Sequence, residues 1–361
     1  MLCIDCGLAQ LRDLVDAGDL FSHYVYFSSN SETMLQSASD LVKSVASTLP
    51  KEAFVIEVAS NDGYLLKNYI DIKVNVLGID PAKNIAKIAN EKGVPTLCDF
   101  FGENLAKKLS SENKKADIIH ANNVMAHVPD IIGFIKGIKH LLKPKGRAII
   151  EVPYFLDLVR HLEFDTIYHE HVFYFTVQSL KIAFEKQGLE IFDIEKLSIH
   201  GGTLRLFIGH QGTRDIATII DKMIKNEKES GLYNLSTYSN FMKKISQLGK
   251  QLRETLGDLK EKGGKIAAYG ASAKGTTLLN FFNITQDSLE FIVDRSLVKQ
   301  SLYTPGTYLE IKPPSSLLDE NITHALLLVW NFSEEIINQQ KNFTREGGKF
   351  IVPLPEVKVI P

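Results

Sequence analysis

Short apolar runs and longer amphipathic stretches alternate along the first half of the chain. Each run has the length and composition of a buried strand, and in the stretches between them apolar residues recur every three or four positions, as on one helix face. The pattern predicts strands at 54–58, 74–79, 95–98, 116–120 and 147–152. It predicts helices near 64–70, 82–92, 102–110 and 131–142. Such alternation is typical of a parallel sheet with helices on both faces.

The pattern changes twice in the second half of the chain. A helix near 179–186 is followed by strands at 189–195 and 203–208, and then by polar helical stretches rich in Lys and Glu. A second strand, glycine loop and helix begin near residue 263, with further strands at 289–294, 324–329 and 349–352. We therefore predict four segments: 1–50 as a small module with a lead-in helix, 51–215 as the first α/β domain, 216–262 as a helical connector, and 263–361 as a second, smaller α/β domain.

The composition predicts the cellular compartment and argues against some classes of partner. Of the 361 residues, 44% are hydrophobic and 23% charged, which is typical of a globular protein long enough for two domains. The formal net charge of −2 gives no reason to expect nucleic acid or an anionic membrane as a partner. Three cysteines, no signal-peptide pattern and no apolar run of about 18 residues predict a cytoplasmic protein without a disulfide framework.

Polar residues at the strand ends predict a nucleotide-like ligand. Glu57 ends the first strand, a turn with Asn61 and Gly63 follows, and Asp80 ends the second strand, where a carboxylate can accept both hydroxyls of a ribose. The turn lacks G-x-G-x-x-G and so has no glycine cradle for a pyrophosphate. A ligand with a ribose but no phosphate fits this difference, and S-adenosylmethionine is such a ligand.

Two later strand ends strengthen this interpretation. Asp99 follows the third strand and can accept a hydrogen bond from an adenine amino group, while Phe100 or an apolar neighbour packs on the ring. Asn122 lies at the end of the fourth strand. Because ligands of doubly wound sheets bind at the carboxyl ends of the strands, we predict that both residues contact the cofactor.

The densest cluster of ionisable residues is Tyr168-His169-Glu170-His171. A histidine with a carboxylate or phenol neighbour can titrate near neutrality and act as a general base. A metal site at the two histidines is an alternative, but the H-E-x-x-H spacing is missing, and a polar structural network is another. Four such groups that follow a predicted cofactor strand favour catalysis.

Other segments carry candidate substrate-binding and metal-binding residues. Arg205, close to His200 and its Gly-Gly pair, is a candidate clamp for phosphate or carboxylate. The loop 269–275 brings Ser272 and Lys274 to a helix start, where they can bind a diphosphate. Cys3 and Cys6 form one C-x-x-C pair, at most half of a zinc site, so we predict no complete metal centre.

As a set, six motifs resemble the S-adenosylmethionine-dependent C-methyltransferases that act on nucleotide-linked deoxysugars. They are Tyr26-Phe-Ser-Ser, Glu57-Val-Ala-Ser-Asn-Asp-Gly63, Asn122-Asn-Val-Met-Ala-His-Val-Pro129, Asp165-Thr-Ile-Tyr-His-Glu-His171, His200-Gly-Gly-Thr and Tyr269-Gly-Ala-Ser-Ala-Lys-Gly275. The resemblance covers essentially the whole chain. It implies a zinc module at the N-terminus, a central class I methyltransferase domain and a C-terminal Rossmann-like domain.

The resemblance also implies roles for individual residues. It makes His171 the base, with Tyr168 and Glu170 beside it and Tyr26 at the active site. Members of the family carry two C-x-x-C pairs and this chain shows only the second, which implies either a truncated zinc module or a member that lives without that metal. The expected substrate is a keto-deoxysugar on a nucleoside diphosphate; the sugar, the methylated carbon, the nucleoside base and the oligomeric state stay open.

Two other classes of protein remain at this point. One is an NAD-dependent nucleotide-sugar oxidoreductase or epimerase, against which the missing G-x-G-x-x-G counts. The other is a non-catalytic protein that binds a nucleotide sugar, against which the intact cluster 168–171 counts.

Overall fold

The chain folds into two compact units, as a computed structural model that describes residues 1–197 and 201–361 shows. The N-terminal unit comprises Met1–Phe155 and His169–Tyr233, and the C-terminal unit comprises Leu156–Tyr168 and Asn234–Pro361. The predicted connector, 216–262, is thus divided between the two units. His200 lies outside the described residues.

The elements of the first part of the chain follow the predicted alternation closely. The strands are β1 (Ala9–Gln10), β2 (Phe54–Val58), β3 (Asn75–Ile79), β4 (Thr96–Leu97), β5 (Ala116–Asn122), β6 (Leu142–Pro153), β7 (Phe173–Tyr174), β8 (Leu189–Leu197) and β9 (Thr203–His210). The helices are α1 (Ala17–Phe21), α2 (Glu32–Ala46), α3 (Leu66–Asp71), α4 (Lys83–Glu91), α5 (Glu103–Ser111), α6 (Ile131–Leu141), α7 (Phe155–Arg160), α8 (Val177–Glu185) and α9 (Ile219–Glu229).

The main sheet of the N-terminal unit has seven strands within the described residues, in the order β4-β3-β2-β5-β6-β9-β8. Numbered among themselves along the chain, these strands have the order 3-2-1-4-5-7-6. The predicted parallel sheet is confirmed, except that β9 runs antiparallel to both β6 and β8. Only five residues separate β8 from β9, whereas a parallel connection needs roughly a dozen or more.

Helix α2 shows how apolar spacing covers this sheet. Its N-cap Ser31 accepts a hydrogen bond from the backbone N–H of Met34, which stabilises the first turn. The buried residues of the helix lie on one stripe, at Met34, Ala38, Leu41, Val42 and Val45. They pack in the same core as Val55 of β2 and Ile118 of β5. Each large side chain removed from water contributes about 1.5–3 kcal/mol of transfer free energy.

The C-terminal unit repeats the doubly wound plan on a smaller scale. Its strands are β10 (Ile266–Tyr269), β11 (Ile292–Val293), β12 (Ile311–Lys312), β13 (His324–Leu327), β14 (Lys349–Val352) and β15 (Lys358–Ile360). Its helices are α10 (Leu235–Glu261), α11 (Ala273–Phe281), α12 (Ser316–Asp319), α13 (Ser333–Gln339) and α14 (Lys341–Arg345). The strand order is β12-β11-β10-β13-β14-β15, and the pairs are parallel except for β15.

The strand order of the C-terminal unit reverses between β10 and β13. In open parallel sheets such a reversal opens a crevice at the carboxyl ends of the two strands, where ligands bind. The loop 270–272 follows β10 and a 3₁₀-helix, Trp330–Phe332, lies shortly after β13. The predicted second α/β domain is therefore confirmed as a fold, although the apolar pattern did not indicate the short strands β12 and β15.

Candidate active site

The turn after β2 is held in an unusual backbone conformation. Ala59, Asn61 and Gly63 have positive φ angles of 53°, 49° and 82°. A Cβ added to Gly63 would lie 2.6 Å from Cγ2 of Val94, so both the backbone and the packing require glycine here. Gly63, which was predicted as a cofactor-binding residue, is therefore required by the backbone of the turn and by its packing against Val94.

Asn61 connects this turn to two other segments. Its backbone N–H donates to Oδ2 of Asp80 at 2.9 Å. Its side-chain Oδ1 accepts from the N–H of Ser28 at 2.9 Å, and Nδ2 donates to the carbonyl of Tyr26 at 3.1 Å. The side chain predicted to contact the cofactor is thus engaged with the segment that carries Tyr26, because both of its polar groups already have backbone partners.

Buried carboxylates gather at the carboxyl ends of β2 and β3. Glu57 is 1% exposed, and its Oε2 has no hydrogen-bond partner among the described residues. Burial raises the pKa of Glu57 well above its usual value, and the negative charges of Asp80, Asp62 and Glu151 raise it further. Such a cluster attracts a cation, because a positive charge would restore the ionised form that burial disfavours.

Asp80 is 5% exposed, and burial raises its pKa. Hydrogen bonds from the backbone N–H groups of Ala82, at 2.9 Å, and of Asn61 oppose that rise. Each carboxylate oxygen accepts one of these bonds and keeps capacity for a second donor. The predicted partner of ribose hydroxyls therefore lies at the expected strand end.

Asn122 is the last residue of β5, and Asp99 lies two residues beyond the end of β4 in the same sheet. Asp99 is exposed, its Oδ1 accepts from the N–H of Phe100 at 2.8 Å, and the Phe100 side chain is 45% exposed. Oδ1 of Asn122 is buried and, within the described parts of the chain, has no hydrogen-bond partner. Both residues keep acceptor capacity at the edge where the acidic cluster lies.

The segment His169–His171 lies beside the end of β5 in the N-terminal unit. The N–H of Val172 donates to the carbonyl of Ala126 at 2.8 Å, which fixes the segment next to the 3₁₀-helix Met125–His127. The rings of His127 and His171 are 4.7 Å apart between centroids and meet edge to face at 74°. The predicted base thus contacts the imidazole of His127, a residue that is distant from it in the sequence.

Glu170 contacts a tyrosine from the N-terminal segment. The hydroxyl of Tyr24 donates to Oε2 of Glu170 at 3.3 Å. Burial raises the pKa of Glu170, and both this hydrogen bond and the charge of His169 lower it. Tyr24 is itself held by Asn84, which exchanges hydrogen bonds with its backbone at 3.1 and 2.7 Å.

Tyr24 and His127 are site residues that the sequence interpretation did not assign. Burial lowers the pKa of His127 to about 4, so its ring is neutral at pH 7. His127 is part of the motif 122–129, yet it has no acidic neighbour in sequence that would mark it. Tyr26, the tyrosine that the family resemblance implies at the active site, is 42% exposed. Tyr168 is the last residue of its segment in the C-terminal unit.

Arg205, the predicted substrate clamp, is engaged by two carboxylates of the sheet. Its guanidinium pairs with Glu151 at 2.8 Å and with Glu195 at 3.1 Å. Both carboxylates lie opposite Arg205 on the neighbouring strands β6 and β8. Because Arg205 is only 8% exposed and its charge is balanced inside the sheet, the geometry favours a structural role.

Two further predicted substrate residues lie where the loop after β10 leads into α11. Oγ of Ser272 accepts from the N–H of Gly275 at 3.0 Å and so caps α11. Nζ of Lys274 donates to Oδ1 of Asn331 at 3.2 Å and lies 4.0 Å from the centroid of the Trp330 ring. Burial lowers the pKa of Lys274, while the charges of Asp165 and Glu163 raise it. The ammonium group is thus engaged inside the C-terminal unit.

Cys3 and Cys6 form a tight knuckle in which the N–H of Gly7 donates to the carbonyl of Cys3 at 2.8 Å. Among the residues with described positions, no three His, Cys, Asp or Glu side chains are grouped closely enough to hold a metal ion. The three cysteines are all described, and none forms a disulfide. No helix in the described ranges combines the length and hydropathy that a bilayer span requires.

Fold and site together define the class of protein. The sheet has the order 3-2-1-4-5-7-6, the turn 59–63 has no glycine cradle for phosphate, and a buried acidic cluster lies where a ribose and a cationic group would bind. Glu57, with its unpartnered oxygen, and Asp80 fit a ligand that carries both features, as S-adenosylmethionine does. These are the properties of a methyltransferase that uses this donor.

Comparison with known proteins gives the family. One family model, described as a methyltransferase domain, matches residues 31–194, and another, described as the C-methyltransferase C-terminal domain, matches residues 198–355. The C-methyltransferase NovU of Streptomyces niveus is 32% identical over 363 residues, which cover 100% of this chain and 86% of that protein. The chain belongs to the C-methyltransferase family, which confirms the predicted enzyme class.

Two further likenesses are more distant. The sterol 4-C-methyltransferase strm-1 of Caenorhabditis elegans is 24% identical over 139 residues, 37% of this chain and 39% of that protein. The solved structure of the PH0226 protein from Pyrococcus horikoshii OT3 has a TM-score of 0.41 and 16% identity, and the alignment covers 54% of this chain and 98% of that one.

Proposed function

We propose that this C-methyltransferase methylates a carbon next to the ketone of a deoxysugar that is linked to a nucleoside diphosphate, and that it does so in the cytoplasm. The observation that supports this most is the placement of His171 against His127, beside Glu170 and Tyr24, in the unit that also carries the acidic cluster. A carbon next to a ketone is acidic enough for an imidazole to deprotonate, whereas an ordinary sugar carbon is not.

His171 is the proposed general base. Positioned proton transfer of this kind contributes about 10²–10⁴-fold to a rate. His127, which burial keeps neutral, packs against the His171 ring and limits its orientations. Glu170 and Tyr168 are proposed to orient the base or hold the developing enolate oxygen, and Tyr26 is proposed to approach the same site. The Tyr24–Glu170 hydrogen bond holds the Glu170 side chain against the N-terminal segment.

The acidic strand ends are the proposed binding groups for the methyl donor. S-adenosylmethionine, when bound, supplies an electrophilic methyl group on a sulfonium. Glu57 would face its cationic portion, Asp80 its ribose hydroxyls and Asp99 its adenine amino group, with Asn122 as a further acceptor. Asn61 and Gly63 maintain the turn on which this arrangement depends.

The C-terminal unit is the proposed binding site for the nucleoside diphosphate. The loop 270–272 and the first turn of α11 follow β10, next to the reversal of strand order between β10 and β13, and ligands of doubly wound sheets bind at such reversals. Because Lys274 is engaged by Asn331 and Trp330, we propose the backbone N–H groups at the start of α11, capped by Ser272, as the principal phosphate donors. His200 remains a proposed substrate residue.

The direct test is incubation with S-adenosylmethionine and a panel of keto-sugar nucleotides, followed by mass spectrometry. One added methylene on a keto-sugar, and none on the matching sugar that lacks the ketone, is the expected result. Calorimetric titration with each ligand distinguishes a sugar nucleotide that binds without product from one that does not bind. Methylation of a sterol or another carbon acid in place of every sugar would overturn the proposed substrate class.

The affinity for S-adenosylmethionine should rise with pH if Glu57 contacts its cationic part. The pKa of Glu57 is raised in the free protein, and a bound cation would lower it, so the complex holds fewer protons and binding releases them. The affinity therefore increases with pH across the range in which free Glu57 loses its proton. Calorimetry in two buffers of different ionisation enthalpy measures this release.

Glu57→Gln should abolish both the proton release and the increase in affinity. Glu112→Gln, which alters an exposed carboxylate paired with Lys114 on the surface, is the matched control and should leave both unchanged. If the affinity of Glu57→Gln for S-adenosylmethionine still rose with pH, a group other than Glu57 would contact the cationic part of the ligand.

A further inference from the structure

The segment Leu156–Tyr168, called the docked segment below, leaves the N-terminal unit and packs within the C-terminal unit. It contains most of α7 and a 3₁₀-helix, Phe164–Thr166, and ends at Tyr168. The next residue, His169, returns to the N-terminal unit. The motif 168–171 therefore begins in one unit and ends in the other.

Buried aromatic packing holds the docked segment in the C-terminal unit. Phe164 is 5% exposed, and its ring lies 5.1 Å from that of Phe281 and 4.8 Å from that of Phe282, at the end of α11. Thr166 closes the 3₁₀ turn, because its Oγ1 donates to the carbonyl of Glu163 at 2.7 Å. The turn is therefore a defined structure, two residues before Tyr168.

A buried network of hydrogen bonds also holds the docked segment in the C-terminal unit. Nε1 of Trp330 donates to Oδ2 of Asp165 at 2.8 Å, and Asp165 has no exposed surface. Burial raises the pKa of Asp165, whereas Lys274 and the Trp330 donor lower it. Lys274 in turn lies over the Trp330 ring and donates to Asn331. The network joins the docked segment to the loops that follow β10 and β13.

Burial of the Asp165 carboxylate and the Trp330 N–H costs free energy unless each group keeps its hydrogen-bond partner. The network therefore favours one arrangement of the docked segment. Asp165 lies three residues before Tyr168 and six before His171. Only Ile167 stands between the 3₁₀ turn and Tyr168, so the position of the turn limits where the motif begins.

We propose that Asp165 and Trp330 are positioning residues, which anchor the docked segment and thereby set the placement of the motif Tyr168–His171 that follows it. This rests on the proposed function only in taking His171 as the base. A misplacement of about 1 Å at a reacting group can cost as much as 10²-fold in rate. Loss of the Trp330–Asp165 hydrogen bond should therefore lower kcat while S-adenosylmethionine binding, in the other unit, is kept.

Trp330→Phe tests this, since it removes the N–H donor and keeps a ring under Lys274. Relative to wild type, kcat should fall between about tenfold and a hundredfold, with KM for S-adenosylmethionine within about twofold. In protein labelled with ¹³C-histidine, the His171 resonance, assigned through His171→Asn, should shift. Asp165→Asn, which keeps the side-chain shape, is the second variant and should move both measurements in the same direction.

Thr304→Val is the matched control, since it removes a buried hydroxyl in the C-terminal unit that bonds Thr307 at 2.7 Å and accepts from the N–H of Leu309 at 3.0 Å. It should leave kcat and the His171 resonance unchanged. The resonance needs no substrate, so it decides the positioning role even if no keto-sugar is turned over. An unchanged His171 resonance in both folded variants would overturn the proposal, as would a control that shifts it equally.

Discussion

Replacement of His171 by asparagine is expected to lower turnover of a keto-sugar nucleotide by about 10²–10⁴-fold, the range that a general base contributes. Asparagine keeps a polar group of similar size beside His127 but cannot take up a proton at neutral pH. Turnover by mass spectrometry and donor affinity by calorimetry measure the two sides of the prediction. The affinity for S-adenosylmethionine should change by less than about twofold, because the acidic residues proposed to bind it lie at the ends of β2 and β3 and not in the motif 168–171.

His140→Asn is the control for this variant. His140 lies in the last turn of α6 and its imidazole is 3.6 Å from Glu103, at the protein surface. Its replacement should leave turnover and affinity as in the wild type. Wild-type turnover in His171→Asn would remove the proposed base and leave the family membership intact.

Replacement of Asp80 by alanine should weaken S-adenosylmethionine binding by about 1–3 kcal/mol, or roughly 5- to 150-fold in Kd. Two effects add: the ribose loses an acceptor, and the N–H groups of Asn61 and Ala82 lose the partners that hold the turn. Affinity for the sugar nucleotide should change much less. Calorimetric titrations with each ligand measure the difference.

Asp117→Ala is the matched control for the loss of the backbone hydrogen bonds. Asp117 accepts from the N–H of Phe54 at 2.9 Å and pairs with Lys143, near the amino ends of β2 and β5. Its loss should lower the free energy of unfolding without changing the Kd for S-adenosylmethionine. Equal losses of affinity for both ligands in Asp80→Ala would count against the ribose assignment.

The acidic residues at the strand ends could be predicted because their signal is local. Glu57 and Asp80 each close a short apolar run that is followed by a turn or a helix, and the structure places both at the carboxyl ends of adjacent strands. The hydrophobic periodicity and the turn residues along the chain suffice for such a prediction, because neighbouring parallel strands bring their carboxyl ends to the same edge of the sheet.

The role of Arg205 could not be predicted in the same way. A lone arginine in an apolar strand next to a Gly-Gly pair has the features of an anion clamp. Its partners, Glu151 and Glu195, lie opposite it only because of the strand register. Register is set by pairing between distant segments and leaves no mark beside the arginine itself.

The sequence by itself determined the element order, the two α/β folds and the motif that ends at His171, because hydrophobic period, turn residues and adjacent titratable groups act over a few positions. Only the tertiary structure decided that His127 lies against that base, that Lys274 is engaged by Asn331 and that residues 156–168 belong to the second unit. Those contacts join residues far apart in the chain. They form because apolar faces and buried charges must find partners, and the choice among partners depends on the packing of the whole unit.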